Sequence, residues 1–133
     1  MLLAPFVGIS IRAIPAALGI LTLVSFGLTA LGYIIAWKMD STQGFHAIMN
    51  LVLIPMWLLS GSVFPASGAP SWLKAVILIN PVTYGLAAVR WSIYGVAAAS
   101  AMNLPPFALS MAVSVSFAVL VFVVAIAITR KPA

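Results

Sequence analysis

Polar residues are so sparse along this chain that the apolar runs between them define its elements. Residues 13–37 contain no charge, and about 20 helical residues suffice to cross about 30 Å of hydrocarbon. That run predicts a membrane-spanning helix with some tilt. Pro15 falls in its first turn, where a missing N–H costs least. Tyr33, Trp37, Lys38 and Asp40 mark its far border. Residues 47–64 predict a second span, carrying Asn50 and Pro55 and ending in Ser60-Gly61-Ser62 and Phe64-Pro65. A proline inside a membrane helix frees the carbonyl one turn earlier, so this span is expected to pack against protein. Residues 107–129, rich in Val, Ile and Ala and stopped by Arg130-Lys131, predict a third. Its small residues form two helical stripes, Ala108/Ala112/Ser116 and Ser110/Ser114/Ala118, and such stripes let helix backbones approach closely.

Residues 65–106 follow a different pattern. Loop chemistry from Pro65 to Pro70 gives way to Ser71-Trp72-Leu73-Lys74, where Ser71 reads as a helix N-cap. Two apolar runs follow, 75–79 and 82–89, each too short to span, with Asn80-Pro81 as a turn signal between them. Flanked by Trp72, Tyr84, Trp91 and Tyr94, they predict a re-entrant or interfacial helical hairpin that packs on other spans or lines a cavity. The opening residues 1–11 are about half a span long and close on Arg12. They read as the tail of a partial span or as a segment lying along the membrane surface. The fold class expected is therefore all-α and polytopic. It has three full spans, a partial N-terminal span and the hairpin, in one transmembrane domain over residues 1–133.

Composition sharpens this picture. Of 133 residues, 65% are hydrophobic and 5% charged, against about 25% charged in soluble domains, so lipid must solvate much of the surface. The net charge of +5 is scattered at the borders of apolar runs, which is membrane-border placement and excludes a nucleic-acid stripe. There is no cysteine, hence no disulfide or thiolate metal site. No basic n-region precedes the opening, which argues against a cleaved signal peptide. With three spans, the 38–46 loop and Arg130-Lys131 share one side and Arg12 and residues 65–106 the other. The basic residues divide equally, and a cytoplasmic C-terminus is favoured because Lys74 and Arg90 have apolar neighbours.

Chemistry is scarce. The single acid, Asp40, and the single histidine, His46, read as solvated loop residues. No nucleophile–base pair, metal cluster or phosphate-cradling loop exists, so no catalytic, cofactor-binding or metal site is assigned. Proton- or sodium-coupled carriers use ionisable groups within the membrane, and no expected span holds an acid. A transported substrate would draw its energy from another subunit or flow passively. The polar residues Asn50, Ser60 and Ser62 are too few for a channel stripe. Arg90 is expected to anchor the hairpin through backbone carbonyls and Tyr94, or to contact a substrate or gate.

Pro55, Ser60-Gly61, Phe64-Pro65, Pro70-Ser-Trp72-Leu73, Asn80-Pro81-Val-Thr83-Tyr84-Gly85 and Arg90 follow one another at a spacing that resembles the type-2 permeases of ATP-binding-cassette transporters. The resemblance implies an exporter component, working as a homo- or heterodimer with another permease half. It provides the path for an amphiphilic substrate such as a drug, a lipid-linked glycan or a polysaccharide. ATP and magnesium would be bound by a separate ATPase subunit, and this chain would hold no cofactor itself. Pro55, Ser60, Gly61, Pro65, Trp72, Asn80, Pro81, Tyr84 and Arg90 enter as structural motif residues. The resemblance also implies that residues 1–11 end a truncated span and that this chain supplies the last three spans of a six-span subunit. The early ATPase-docking elements are outside it, and the 38–46 loop makes a minor contact at most. A bacterial plasma membrane is the expected location. The alternative is a small, non-transporting membrane interaction or assembly protein.

Overall fold

The computed structural model describes residues 13–62 and 69–130; the expected partial span 1–11 and Pro65 lie outside them. Five α-helices follow in order: α1 (Ile14–Trp37), α2 (Thr42–Trp57), α3 (Ser71–Ile79), α4 (Pro81–Ala101) and α5 (Phe107–Thr129). A π-helical turn, Leu58–Ser62, extends α2. Among the described residues three helices are long and apolar enough to cross a membrane: α1, α2 with its extension to Gly61, and α5. The protein is an all-α, polytopic membrane protein.

Helix α1 starts at Ile14 with proline in its first turn and ends at Trp37, where the Lys38 N–H closes on the Ile35 carbonyl and the Met39 N–H on that of Ala36. The second helix begins at Thr42, ahead of the apolar run at 47, because Ser41 is an extended N-cap whose hydroxyl accepts the Gly44 N–H at 3.3 Å. His46 therefore stands on a helix rather than in a loop, exposed, with its ring 5.6 Å from that of Phe45. Ser71 is not the N-cap of α3. Pro70 holds that position in extended conformation, and its carbonyl accepts the N–H groups of both Leu73 and Lys74.

Helices α1, α4 and α5 pack together, and their interior is built of small side chains. Ala17, Ala88, Ala118 and Ala125 are buried, as are Ser110 and Ser114. Leu18, Leu51, Val119 and Leu120 face outward. This inverts the pattern of a soluble protein and suits a lipid solvent, where close backbone approach drives helix association. Of the two stripes on α5, Ser110/Ser114/Ala118 is the buried seam, continued by Val121 and Ala125. Ala108, Ala112 and Ser116 face out. Hydroxyls on these helices return to their own backbones: Thr22 to the Leu18 carbonyl, Ser114 to Ser110 and Thr129 to Ala125, each at 2.8 Å. These three hydroxyls need not then meet hydrocarbon unpaired.

Helix directions follow from these contacts. Gly27 meets Phe117 and Ala118, and the groove farther along α1 pairs Tyr33 with Ile126 and Thr129, so α1 and α5 run parallel. Gly32 of α1 meets Met49 of α2, which returns in the opposite sense after the short 38–41 turn. The chain thus leaves α2 and enters α5 at the same end of the bundle. Helices α3 and α4 bend by 78° where they meet. They form a hairpin that enters and leaves by that one end and add no crossing.

Candidate functional site

The hairpin elbow is where the motif residues converge, and hydrogen-bond bookkeeping in the backbone explains most of them. In an α-helix each carbonyl accepts the N–H four residues on. The Ile77 carbonyl would take that of residue 81, but Pro81 has none. The Thr83 hydroxyl donates to it instead, at 2.7 Å in a buried position. The Leu78 carbonyl would take the Val82 N–H, which instead donates to Asn80 Oδ1 at 3.0 Å and caps the start of α4. The Tyr84 hydroxyl replaces it at 2.8 Å. Asn80, Pro81, Thr83 and Tyr84 together make a sharp bend with the Ile77 and Leu78 carbonyls of α3 satisfied. Such groups cost several kcal/mol each, roughly, when left bare in lipid.

Asn80 also joins the hairpin to the second span. Its Nδ2 donates to the Met56 carbonyl at 2.6 Å, and Asn80 is only 7% exposed. The receiving stretch is irregular. Pro55 sits inside α2, and the backbone beyond Trp57 widens into the π turn, where the ladder shifts by one residue. Ser60, buried, donates its hydroxyl to the Trp57 carbonyl at 2.6 Å. Gly61 adopts φ +80°, ψ 7°, a left-handed conformation that favours glycine. Its carbonyl accepts an N–H of the Arg90 guanidinium at 3.3 Å. Side chains from three places thus serve carbonyls of the span's irregular end, the expected consequence of breaking a helix at membrane depth.

Beside this junction Pro55, Met56 and Leu59 face Val76, Ile79, Asn80 and Pro81 across an apolar groove of about 380 Å³. Its lining leaves nothing for catalysis, since it holds no titratable side chain. Among the described residues no group of His, Cys, Asp or Glu is placed to hold a metal.

The elbow brings Pro55, Ser60, Gly61, Asn80, Pro81, Tyr84 and Arg90 into one neighbourhood. Trp72 stands apart, 68% exposed on α3. Arg90 bonds to a backbone carbonyl as expected, but that of Gly61 rather than a partner on its own helix; Tyr94 plays no part. Trp91 is not simply an interfacial aromatic: its Nε1 donates to the Pro105 carbonyl at 2.9 Å, tying α4 to the approach to α5. Gly85, quoted with the motif but given no role, is where α4 touches α1. A Cβ there would lie 2.5 Å from Val24 Cγ2. The role of Thr83 was detectable from its place two residues after a proline that removes a donor. The Met56 carbonyl was not, because any residue supplies a carbonyl.

Against known families, residues 1–94 match the family model described as ABC-2 type transporter. No curated protein and no solved structure matches the chain.

Proposed function

The chain belongs to the ABC-2 type transporter family, and from that premise we propose that it serves as a permease component of an ATP-driven exporter. The family match over residues 1–94 carries this reading. Apolar spans and a motif-built elbow are in keeping with it. The permease supplies a path through the membrane, and a separate ATPase subunit binds ATP and magnesium and does the hydrolysis. Amphiphiles are the substrate class best suited to walls of apolar and aromatic side chains. Helix α2 buries none of its residues within the chain, which supports packing against a second permease half. The proposed setting is a bacterial plasma membrane with the C-terminus in the cytoplasm.

The test is co-purification of the tagged chain from membranes with a candidate ATPase subunit, followed by vanadate-sensitive ATP hydrolysis. Specific association with hydrolysis above that of the ATPase alone is expected. A chain that inserts stably but captures no ATPase would sink the reading in favour of a non-transporting membrane interaction protein.

A further inference from the structure

Arg90 is a half-buried guanidinium with five N–H donors, and among the described residues it makes one hydrogen bond, to the Gly61 carbonyl. No carboxylate lies near. The only acid of the chain, Asp40, follows α1, whereas Arg90 adjoins Ala88 and Val89, which pack on Ala17 and Ile20 near the start of α1. A charge beside hydrocarbon with a single hydrogen bond among the described residues favours an anion, and a planar guanidinium fits phosphate oxygens in pairs.

The apolar groove shares the π turn Leu58–Ser62 with the carbonyl that Arg90 holds. Leu59 lines it, and Gly61, to which Arg90 is bonded, lies next but one along the π turn. At about 380 Å³ it falls near the low end of ligand sites, which run from about 300 to 1,000 Å³. Apart from Asn80 its walls are apolar, and Ile79, 81% exposed, forms part of them. A cationic point beside an apolar trough matches an amphiphile in both its parts.

We propose that the elbow is a binding site for an anionic glycerophospholipid of the surrounding bilayer, with an acyl chain in the groove and the phosphate on Arg90. Charge and shape complementarity select this ligand, whether or not the chain transports a substrate.

The experiment uses the full chain, purified in detergent, offered equimolar phosphatidylglycerol and phosphatidylcholine, and examined by native mass spectrometry for retained lipid. Retention of phosphatidylglycerol over phosphatidylcholine is expected. Arg90→Gln should cut that preference by about tenfold, the scale of a charge-assisted hydrogen bond. Arg90→Lys should keep part of it. Ile79→Trp, at a position 81% exposed, should reduce retention of both lipids by filling the trough. Lys74→Gln, removing an exposed cation elsewhere on the hairpin, should change nothing. Millimolar inorganic phosphate should fail to displace the lipid. The proposal is overturned if Arg90→Gln and Ile79→Trp both bind as the parent does, or if Lys74→Gln loses the preference equally. Displacement by inorganic phosphate would also overturn it, since the acyl chain would then contribute nothing.

Discussion

A proline that removes one backbone donor sets the task that its neighbours Thr83 and Tyr84 perform. Their hydroxyls reach back to the Ile77 and Leu78 carbonyls, so the bend at Asn80-Pro81 leaves those two acceptors paired. Donor and acceptor are both buried, Ile77 being 1% and Thr83 7% exposed. Thr83→Val keeps shape and loses the donor, and the cost expected is about 1–3 kcal/mol. It should appear as a lower midpoint of thermal unfolding in mild detergent, with Thr83→Ser close to the parent. Equal stability of Thr83→Val and parent would refute this role for the hydroxyl. The sequence made the turn itself legible, since Asn-Pro is a strong local signal. It left open which carbonyls needed serving, which depends on where α3 ends.

Helices in this protein associate through what they lack. The buried seam of α5 is Ser110, Ser114 and Ala118, and α1 and α4 meet where Gly85 has no side chain to hold them apart. A methyl at Gly85 would press on Val24 Cγ2, and a valine's branched side chain has little rotameric freedom in a helix. Gly85→Ala should destabilise the bundle by about 1–3 kcal/mol. Val24→Ala should restore much of that loss when the two are combined, a coupling that a double-mutant cycle measures. Independent, additive effects would show that the contact is elsewhere. Periodicity announced two small-residue stripes on α5 of equal merit, and only packing distinguished them. The stripe chosen is the one facing α1 and α4; the other faces away from them, and nothing in its composition differs enough to tell.

Across the whole molecule, direction settles topology. Because α1 and α5 run parallel and α2 runs against them, the intervening α3–α4 segment starts and finishes at one end of the bundle. Labelling of single cysteines with a membrane-impermeant maleimide checks this in a chain that has no cysteine of its own. Trp72→Cys and Asn103→Cys should label from one side of the membrane. Ser41→Cys and Arg130→Cys should label from the other. All four positions are exposed. Labelling of Trp72→Cys and Asn103→Cys from opposite sides would mean that the bent pair crosses and that the helix directions are wrong.

Apolar runs without charge, their lengths and their aromatic and basic borders determined a helical membrane protein with three full spans among the described residues. These are local properties read directly against the thickness of a bilayer. The short runs around Asn80-Pro81 likewise determined that the segment bends. The tertiary structure alone decided that the Asn80 amide reaches the Met56 carbonyl and that Arg90 reaches the Gly61 carbonyl. It alone decided, too, that the spare space beside them is a groove whose walls are apolar apart from Asn80. The physical reason is that lipid selects for apolar side chains on every outward face, so hydrophobicity cannot mark the inside. Partners in the interior are chosen by small side chains and by backbone carbonyls, which every residue has and no sequence distinguishes.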